Sequence, residues 1–253
     1  DKIDLLGNRY SPQFKPDWSP ELLLSYCYIS HIKVVRRSVS EKVGHIRTGY
    51  DGSQDYDYIL RVCEVARNVG HIPKVLYHWR STPTSTAANG LNKPNSLVAG
   101  KRAVQDCVDR RGINARVFQP SWAVKEGLGV FKLIFPNSGP NVEILIPTRN
   151  NLKFLRRCLT SIELTTYKNY TVTIIDNESD DPATINFMHK TNHRVLRVPN
   201  KDKEFNFSYL VNRGVEAASS DYILLLNDDT EVIEPSWLSQ MVGYLTIQGV
   251  GVV

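Results

Sequence analysis

Three polar residues, Asn227, Asp228 and Asp229, follow directly after the apolar run of residues 222–226. A run of that length suits one buried strand and is far too short to cross a membrane. Carboxylates at the end of such a strand lie at the carboxyl edge of a sheet, where open α/β sheets bind ligands. A divalent cation that carries phosphate oxygens would let the two acids stay close together. A solvated turn rich in Asn and Asp is an equally good interpretation of these three residues alone.

Two further apolar runs, residues 142–146 and 170–175, also end in polar residues. Predicted helices alternate with these strands, so residues 141–253 indicate an α/β fold with a mostly parallel sheet and right-handed crossovers. All the strand ends would then meet at one edge, where an acid after the second strand can hold ribose hydroxyls or a base edge. The polar residues at these two ends are Pro147, Thr148, Asn150, Asp176 and Asn177.

The segment after the first of these strands contains no glycine-rich loop, because Pro147, Thr148, Arg149 and Asn150 occupy it. The sequence therefore argues against a dinucleotide-dependent oxidoreductase and against a P-loop ATPase. A nucleotide whose diphosphate is held by a metal ion remains compatible with the pattern.

The first half of the chain contains a second group of candidate residues. Ser53 can cap a helix that begins at Gln54, which places Asp55 and Asp57 in its first turn, where the helix dipole favours negative charge. Asp57 fits that structural role, whereas Asp55 could equally be a general base that faces a cleft. A predicted strand over residues 72–80 ends with His78, a possible metal ligand or a packed histidine, and Arg80, a possible phosphate contact.

Other local patterns complete the predicted organisation. We expect a helix that starts at Pro20 with Ser19 as its N-cap, a strand over residues 31–35, a helix over residues 97–110 and short strands within the glycine- and proline-containing junction 113–140. Residues 81–96 are a polar loop of a length that is often functional. The predicted domains are therefore residues 1–112, the linker 113–140 and residues 141–253.

The composition is that of an ordinary globular protein, with 253 residues, 42% hydrophobic residues, 23% charged residues and a net charge of +5. The basic residues are scattered, which does not indicate nucleic-acid binding. The four cysteines are far apart and suggest neither a zinc site nor disulfides, so we expect a reducing, cytoplasmic location. The chain begins without Met and reads as a piece of a longer protein.

Four stretches of the second half carry a resemblance to a known family: VEILIPTRN, IIDN, FNFSYLVNRGVEAA and LLLNDDTEVIEPSWL. With them, residues 141–253 resemble the nucleotide-binding half of a family 2 glycosyltransferase of the GT-A fold. The resemblance implies a UDP- or dTDP-sugar donor and a Mn²⁺ or Mg²⁺ ion. It implies Asp229 as the better metal ligand, Asp228 as a second ligand or a contact of the sugar or ribose, and nucleoside contacts from Thr148 and Asp176. The remaining residues implied to line the nucleotide-sugar site are Pro147, Asn150, Asn177, Asn212 and Arg80.

Residues 1–112 resemble the acceptor half of the same fold, through FKPDWSPELLLS, SQDYDYILRV and VLYHWRSTPTSTA. In this resemblance Asp55 matches the general base and His78 an occasional third metal ligand. The acceptor half precedes the donor half, which is the order expected for parts of two tandem modules in a bacterial surface-polysaccharide enzyme. Alternatively, the two halves associate within a chain or between chains to form one site.

The implied reaction is an inverting displacement that moves a sugar to a hydroxyl of a glycan or glycolipid acceptor. Peripheral association with the inner face of the membrane is a further expectation from this resemblance. Two other interpretations remain open at this stage. One is a non-catalytic scaffold with the same fold. The other is an enzyme like a sugar nucleotidyltransferase, which would need a basic glycine-rich loop after the first strand.

Overall fold

The computed structural model describes residues 1–82, 94–199 and 205–253 and divides into two compact units, Asp1–Ile134 and Phe135–Val253. The division falls inside the predicted junction 113–140. Within the described ranges, no helix is both long and apolar enough to span a membrane. The predicted loop 81–96 lies largely outside the described residues.

The first unit contains two small sheets and several short helices. Strand β1 (Lys2–Ile3) pairs antiparallel with β2 (Arg9–Tyr10) and parallel with β3 (Trp79–Arg80), and β4 (Arg116–Phe118) pairs antiparallel with β5 (Lys132–Ile134). The helices are α1 (Pro20–Ser25), α2 (Arg37–Val43), α3 (Gln54–Val65), α4 (Pro94–Arg110) and α5 (Ser121–Lys125). Buried residues of α3 and α4 supply much of the apolar core of this unit.

Helix α1 begins as predicted, since Pro20 is its first residue and the Ser19 hydroxyl accepts a hydrogen bond from the Leu22 amide at 3.4 Å. The predicted strand over residues 31–35 is wrong. Its side chains Ile32 and Val34 are 70% and 97% exposed, so its β-branched residues have no packed layer to bury them.

Two other local predictions for the first unit also need correction. Only residues 79 and 80 of the predicted strand 72–80 pair in a sheet. Ser53 lies at the start of α3 but does not cap it, because its hydroxyl donates instead to the Ser96 carbonyl oxygen at 2.7 Å.

The second unit is the predicted parallel sheet. Its strands are β6 (Val142–Thr148), β7 (Tyr170–Asp176), β8 (Arg194–Arg197) and β9 (Tyr222–Leu225), arranged in the order β8-β7-β6-β9 with every neighbouring pair parallel. The helices are α6 (Leu152–Ile162), α7 (Pro182–Lys190), α8 (Phe207–Ala217) and α9 (Trp237–Leu245). The α/β prediction for this part of the chain is therefore confirmed.

Both faces of this sheet are covered at β6, which explains why β6 is apolar along nearly its whole length. Alternate residues of β6 pack with α6, α7 and α9 in one apolar cluster, whereas Leu145 packs with Ile175 and Leu210 of α8 in the other. Helix α8 approaches the sheet closely at Gly214, where an added Cβ would lie 2.4 Å from Ile175 Cδ1. Since β7 and β9 lie on opposite sides of β6, the strand order reverses beside β6, and such a point is where open α/β sheets bind ligands.

Candidate functional site

The acidic loop after β9, residues 227–230, is held in place by α6. The Thr230 hydroxyl donates to the Asn227 carbonyl oxygen at 2.7 Å, and the buried Cys158 thiol of α6 lies 3.8 Å from both groups. One turn further along α6, the Ser161 hydroxyl accepts from the Val232 amide at 2.9 Å. The loop therefore rests on a helix that the sheet itself positions.

Asp228 joins the ends of two strands. Its carboxylate accepts from the Thr148 hydroxyl at 2.6 Å, at the end of β6, and from the Asn151 side-chain amide at 3.1 Å. Asp229 is exposed and makes no hydrogen bond with the described residues. The structure thus brings Thr148 and Asp228 together, as the strand-end pattern predicts, and leaves Asp229 available to a ligand.

Asp176 and Asn177 lie at the neighbouring strand end and are 1% and 4% exposed. One oxygen of Asp176 accepts from the Ser179 amide at 2.9 Å, and the other lies 3.6 Å from a guanidinium nitrogen of Arg197. The Asn177 backbone amide donates to the Thr148 carbonyl oxygen at 3.0 Å, while its buried side-chain Nδ2 has no hydrogen-bond partner in the described structure. Asn177 is therefore the residue at this edge with a buried donor still unsatisfied.

Asn150 links the loop after β6 to the loop after β7. Its side-chain oxygen accepts from the backbone amides of Asp180 and Asp181, both at 2.9 Å, and its Nδ2 donates to Asp180 at 2.6 Å. Its own backbone amide donates to the Ser179 hydroxyl at 3.0 Å, and its φ angle is +54°. The amide group that sequence reasoning assigned to ligand binding is thus engaged in holding two loops together.

Two further predicted residues of this site have different positions. Pro147 is a partly buried residue of β6, paired in register with Ile175. Asn212 lies on an exposed part of α8 and makes no hydrogen bond with the described strand-end residues. The structure brings the other strand-end residues together but does not join Asn212 to them.

The donor atoms at this edge suit a hard divalent cation. In the described parts of the chain, no group of three or more His, Cys, Asp and Glu residues forms a metal site. Mg²⁺, however, is commonly held by one or two carboxylates together with substrate phosphates and water. The available Asp229 carboxylate beside Asp228 fits that mode, in which the nucleotide supplies the remaining oxygen ligands.

The first unit places Asp55 and Asp57 in different environments, although they are two residues apart on α3. Asp55 is 43% exposed, and its carboxylate lies 3.5 Å from the Lys33 ammonium group. Asp57 is 1% exposed and accepts hydrogen bonds from Arg47 and Arg61, the latter at 3.0 Å. Burial alone raises the pKa of Asp57, but the two guanidinium groups outweigh burial and hold that pKa below its ordinary value.

His78 and Arg80 lie at the β3 end of the small sheet. The His78 Nδ1 atom lies 2.5 Å from an Asp1 oxygen, and the other Asp1 oxygen accepts from Arg9 at 2.7 Å. Arg80 pairs in register with Ile3, and its side chain is exposed. His78 and Arg9 therefore share the Asp1 carboxylate, and this contact holds the histidine in place. His78 and Asp1 together also offer two donor groups of the kind that bind metal ions.

Residues 143–253, from β6 to the end of the chain, match the family model described as glycosyl transferase family 2. This part of the chain is therefore similar to members of glycosyl transferase family 2. The matched segment contains Thr148, Asp176, Asp228 and Asp229, so every strand-end contact described above lies within it.

Similarity to two curated proteins extends over the whole chain. The chain is 39% identical to the uncharacterized protein y4gI of Sinorhizobium fredii and 34% identical to the O-antigen biosynthesis protein RfbC of Myxococcus xanthus. The chain spans 28% and 20% of the lengths of these relatives.

A solved mannosyltransferase from Pyrobaculum calidifontis, PcManGT in complex with GDP-Man and Mn²⁺, is similar with a TM-score of 0.38 and 14% identity, over 64% of this chain and 44% of that one. Because this TM-score is low, the α/β assignment rests on the sheet of the second unit and not on that likeness.

Sequence reasoning missed two residues that contact the candidate site residues, Asn151 and Lys33. The contact of Asn151 with Asp228 could have been predicted, because Asn151 directly follows the polar residues at the end of the first predicted strand. Lys33 carried no such signal, because nothing in the spacing of residues 33 and 55 relates them. Its contact with Asp55 depends on an irregular segment that was predicted to be a strand.

Proposed function

We propose that this chain carries glycosyltransferase machinery that moves a sugar, with inversion, from a UDP- or dTDP-sugar to a hydroxyl of a glycan or glycolipid. The main support is the contact between Thr148 and Asp228 at the point where the strand order reverses, with Asp229 available beside it, in a family 2 segment. The identity with an O-antigen biosynthesis protein supports a role in surface-polysaccharide synthesis.

On the donor side, we assign Thr148, Asp176 and Asn177 to the nucleoside and Asp228 to the ribose or sugar. The unsatisfied Nδ2 of Asn177 is a donor that a bound ligand can engage. Asp229, with Asp228, would hold Mn²⁺ or Mg²⁺ together with the diphosphate. When bound, such an ion neutralises the charge that builds up on the departing diphosphate.

On the acceptor side, we assign the general base to Asp55, whose partly exposed carboxylate can take the proton from an acceptor hydroxyl as that oxygen attacks the anomeric carbon. General-base help of this kind is typically worth about 10²–10⁴ in rate. His78 and Asp1 would contribute donors to the metal site of the module to which the first unit belongs, with Arg80 as a phosphate contact. These assignments keep Asp57 as a structural residue because its carboxylate is buried between two arginines.

The two units would be parts of two tandem modules, the acceptor half of one followed by the donor half of the next. The chain spans only 20–28% of its two curated relatives, which leaves room in them for the rest of each module. Association of the two halves into one site, peripheral membrane association and a cytoplasmic location remain predictions.

Calorimetric titration of UDP, dTDP and GDP into this chain, with and without Mn²⁺, tests the donor site. We expect metal-dependent binding of UDP or dTDP. Asp229→Asn should weaken it by more than about 100-fold, because even the outer partners of metal ligands contribute about 10–100-fold. The matched control is Glu163→Gln, which changes an exposed acid at the end of α6 and should bind like the unaltered chain.

Circular dichroism of both variants would verify that the fold is retained. Equal UDP affinity in Asp229→Asn and in the unaltered chain would refute the metal assignment. A lack of metal-dependent nucleotide binding by the unaltered chain would overturn the donor-site proposal.

A further inference from the structure

Strand β9 forms one edge of the parallel sheet, and its outer side has no strand beside it among the described residues. We infer that this edge binds residues 31–35 of a second copy of this chain as an additional strand, and that two copies exchange these segments reciprocally. The inference goes beyond the proposed function, because the pairing itself needs neither nucleotide nor acceptor. It assigns a partner and an interaction surface to the chain.

The free side of β9 offers backbone hydrogen-bonding groups next to apolar side chains. The amides of Tyr222 and Leu226 donate to carbonyl oxygens on the β6 side, at 3.1 and 3.0 Å. Because neighbouring residues of a strand alternate in direction, the backbone groups of Ile223 and Leu225 point away from β6. The Ile223 and Leu225 side chains are 40% and 51% exposed. An added strand would therefore form hydrogen bonds and bury apolar surface at the same time.

The opposite edge of the sheet, β8, differs in charge. Its first and last residues are Arg194 and Arg197, whose side chains are 51% and 54% exposed. Charged side chains on an edge strand discourage another strand from pairing there. Residues 222–226 contain no charged residue and no proline. Of the two edges, β9 is therefore the one that can accept a strand.

Residues 31–35 of the first unit have the composition of a strand without a partner. Ile32, Val34 and Val35 are β-branched, which favours a strand. In the described structure, residues 32–35 form no backbone–backbone hydrogen bond, and the Ile32 and Val34 side chains are 70% and 97% exposed. The segment thus presents the same two features as β9, namely unpaired backbone groups and exposed apolar side chains at alternate positions.

Opposite charges favour the pairing of this segment with β9 over the pairing of two identical elements. Residues 31–37 contain three lysine or arginine residues and no acid, whereas residues 214–253, which include β9, contain six acids and no lysine, arginine or histidine. Two of the three cations are paired with acids of their own unit, and Arg36 is exposed without an ion-pair partner among the described residues. Two copies of the segment, or two β9 edges, would bring like charges together.

Reciprocal exchange would give a closed dimer with two equivalent strand pairings, because each copy carries one segment and one edge. The dimer would also affect the site that we propose, and this consequence rests on the proposed function. The Asp55 carboxylate lies 3.5 Å from the Lys33 ammonium group, so Asp55 would follow the segment to the sheet of the second copy. The general base of one copy would then lie beside the sheet that carries Asp228 of the other.

Sedimentation of the full chain without nucleotide, over a range of concentrations, tests the pairing. We expect a monomer–dimer equilibrium. Val34→Lys and Leu225→Lys should each weaken the dimer by at least about tenfold, because a lysine charge would have to leave water at the pairing surface. The matched controls are Leu6→Lys and Ile233→Lys, at side chains that are 87% and 94% exposed and lie outside both elements. Both controls should dimerise like the unaltered chain.

Mixing the two variants distinguishes reciprocal exchange from other dimers. The mixture can form one intact pairing, between the segment of the Leu225→Lys chain and the edge of the Val34→Lys chain. It should therefore dimerise more tightly than either variant alone. A dimer formed by two β9 edges would be insensitive to Val34→Lys. A monomer at concentrations up to about 100 µM, a dimer insensitive to either variant, or no gain on mixing would overturn the inference.

Hydrogen exchange of the unaltered chain gives a second measurement. Peptides that cover residues 31–35 and 222–226 should become protected together as the concentration rises, and this protection should disappear in Val34→Lys. Lack of protection in both peptides would overturn the inference. Because both experiments omit donor and acceptor, a failure of sugar transfer would refute the proposed reaction alone and leave the pairing standing.

Discussion

The two units position their candidate residues by different means. In the second unit, Thr148 and Asp176 are partners in the register of β6 and β7, so the sheet alone places them side by side. In the first unit, Asp55 lies on a helix and meets Lys33 from an irregular segment, and the strands of its N-terminal sheet are only two residues long. Backbone pairing places one group of residues, and side-chain ion pairs place the other.

This difference determines which substitutions should damage each unit. A site placed by a sheet depends on apolar packing and on the short polar contacts at the strand ends. A site placed by ion pairs depends on individual charges, and loss of one partner leaves the other charge partly buried and unpaired. Substitutions in each unit therefore test whether sheet pairing or individual charges hold its residues in place.

Asp57→Ala should be the most destabilising of these changes and should act on the first unit alone. Two arginines then lose their shared carboxylate, and the expected loss in the free energy of unfolding is about 3 kcal/mol, at the low end for a broken buried pair because Arg47 is 37% exposed. Unfolding in urea, monitored through hydrogen exchange of peptides from each unit, would measure this loss of stability. Asp51→Ala, in an exposed turn before α3, is the matched control and should be neutral.

The same carboxylate gives the first unit a defined acid sensitivity. Because the folded pKa of Asp57 lies below its unfolded value of about 4, the stabilisation is complete above that value and is lost as the pH falls through the folded pKa. Equal acid sensitivity in the unaltered chain and in Asp57→Ala would contradict the assignment.

Asn150→Ala tests the polar contacts at the sheet edge of the second unit. Alanine loses the hydrogen bonds to the loop after β7 and must still adopt a φ of +54°, so we expect a loss of about 2 kcal/mol in the free energy of unfolding. Asn150→Gly loses the same bonds without the backbone strain and should be less destabilised by about 1 kcal/mol. Thermal unfolding would compare the two, and equal melting temperatures would show that the left-handed conformation contributes nothing.

The smallest effect that we predict is a dependence of the stability of the second unit on pH, at a pH closer to 7 than the acid range of Asp57. Burial lowers the pKa of His193, which lies just before β8, below its ordinary value of 6.5. The His193 imidazole therefore binds a proton more readily in the unfolded chain than in the folded one. The second unit should lose a little stability as the pH falls below about 6.5. His193→Gln should remove that slope, measured by hydrogen exchange of peptides from β8, and an unchanged slope would assign it to another group.

Much of the second unit could be predicted because its signals are local. Apolar runs predicted β6, β7 and β9. Because parallel strands end at the same edge of a sheet, the residues after each run were expected to lie close together. The pattern did not distinguish ligand contacts from structural ones. The assignment of Asn150 to the nucleotide site stays a prediction, beside the observed role of its amide in holding two loops together. A hydrogen bond between residues 30 positions apart, such as that between Asn150 and Asp180, produces no periodic pattern from which it could be predicted.

The first unit was less predictable for the same physical reason. Helix starts such as Ser19 and Pro20 follow from short-range chemistry and were correct. The β-branched residues 31–35 favoured a strand, but a strand also needs a partner edge and an apolar layer, and Val34 has neither packing nor pairing in the described structure. The contact between Lys33 and Asp55 depends on that irregular path.

The link between Asn150 and the loop after β7 has a consequence for the thermodynamics of ligand binding. Loops that must become ordered around a nucleotide lose conformational entropy when they bind it. Here Asn150 and Ser179 already join the two loops through backbone and side-chain hydrogen bonds. The sheet edge is therefore preorganised. If a nucleotide binds there, as we propose, more of its interaction energy would be available as affinity instead of being used to order the protein.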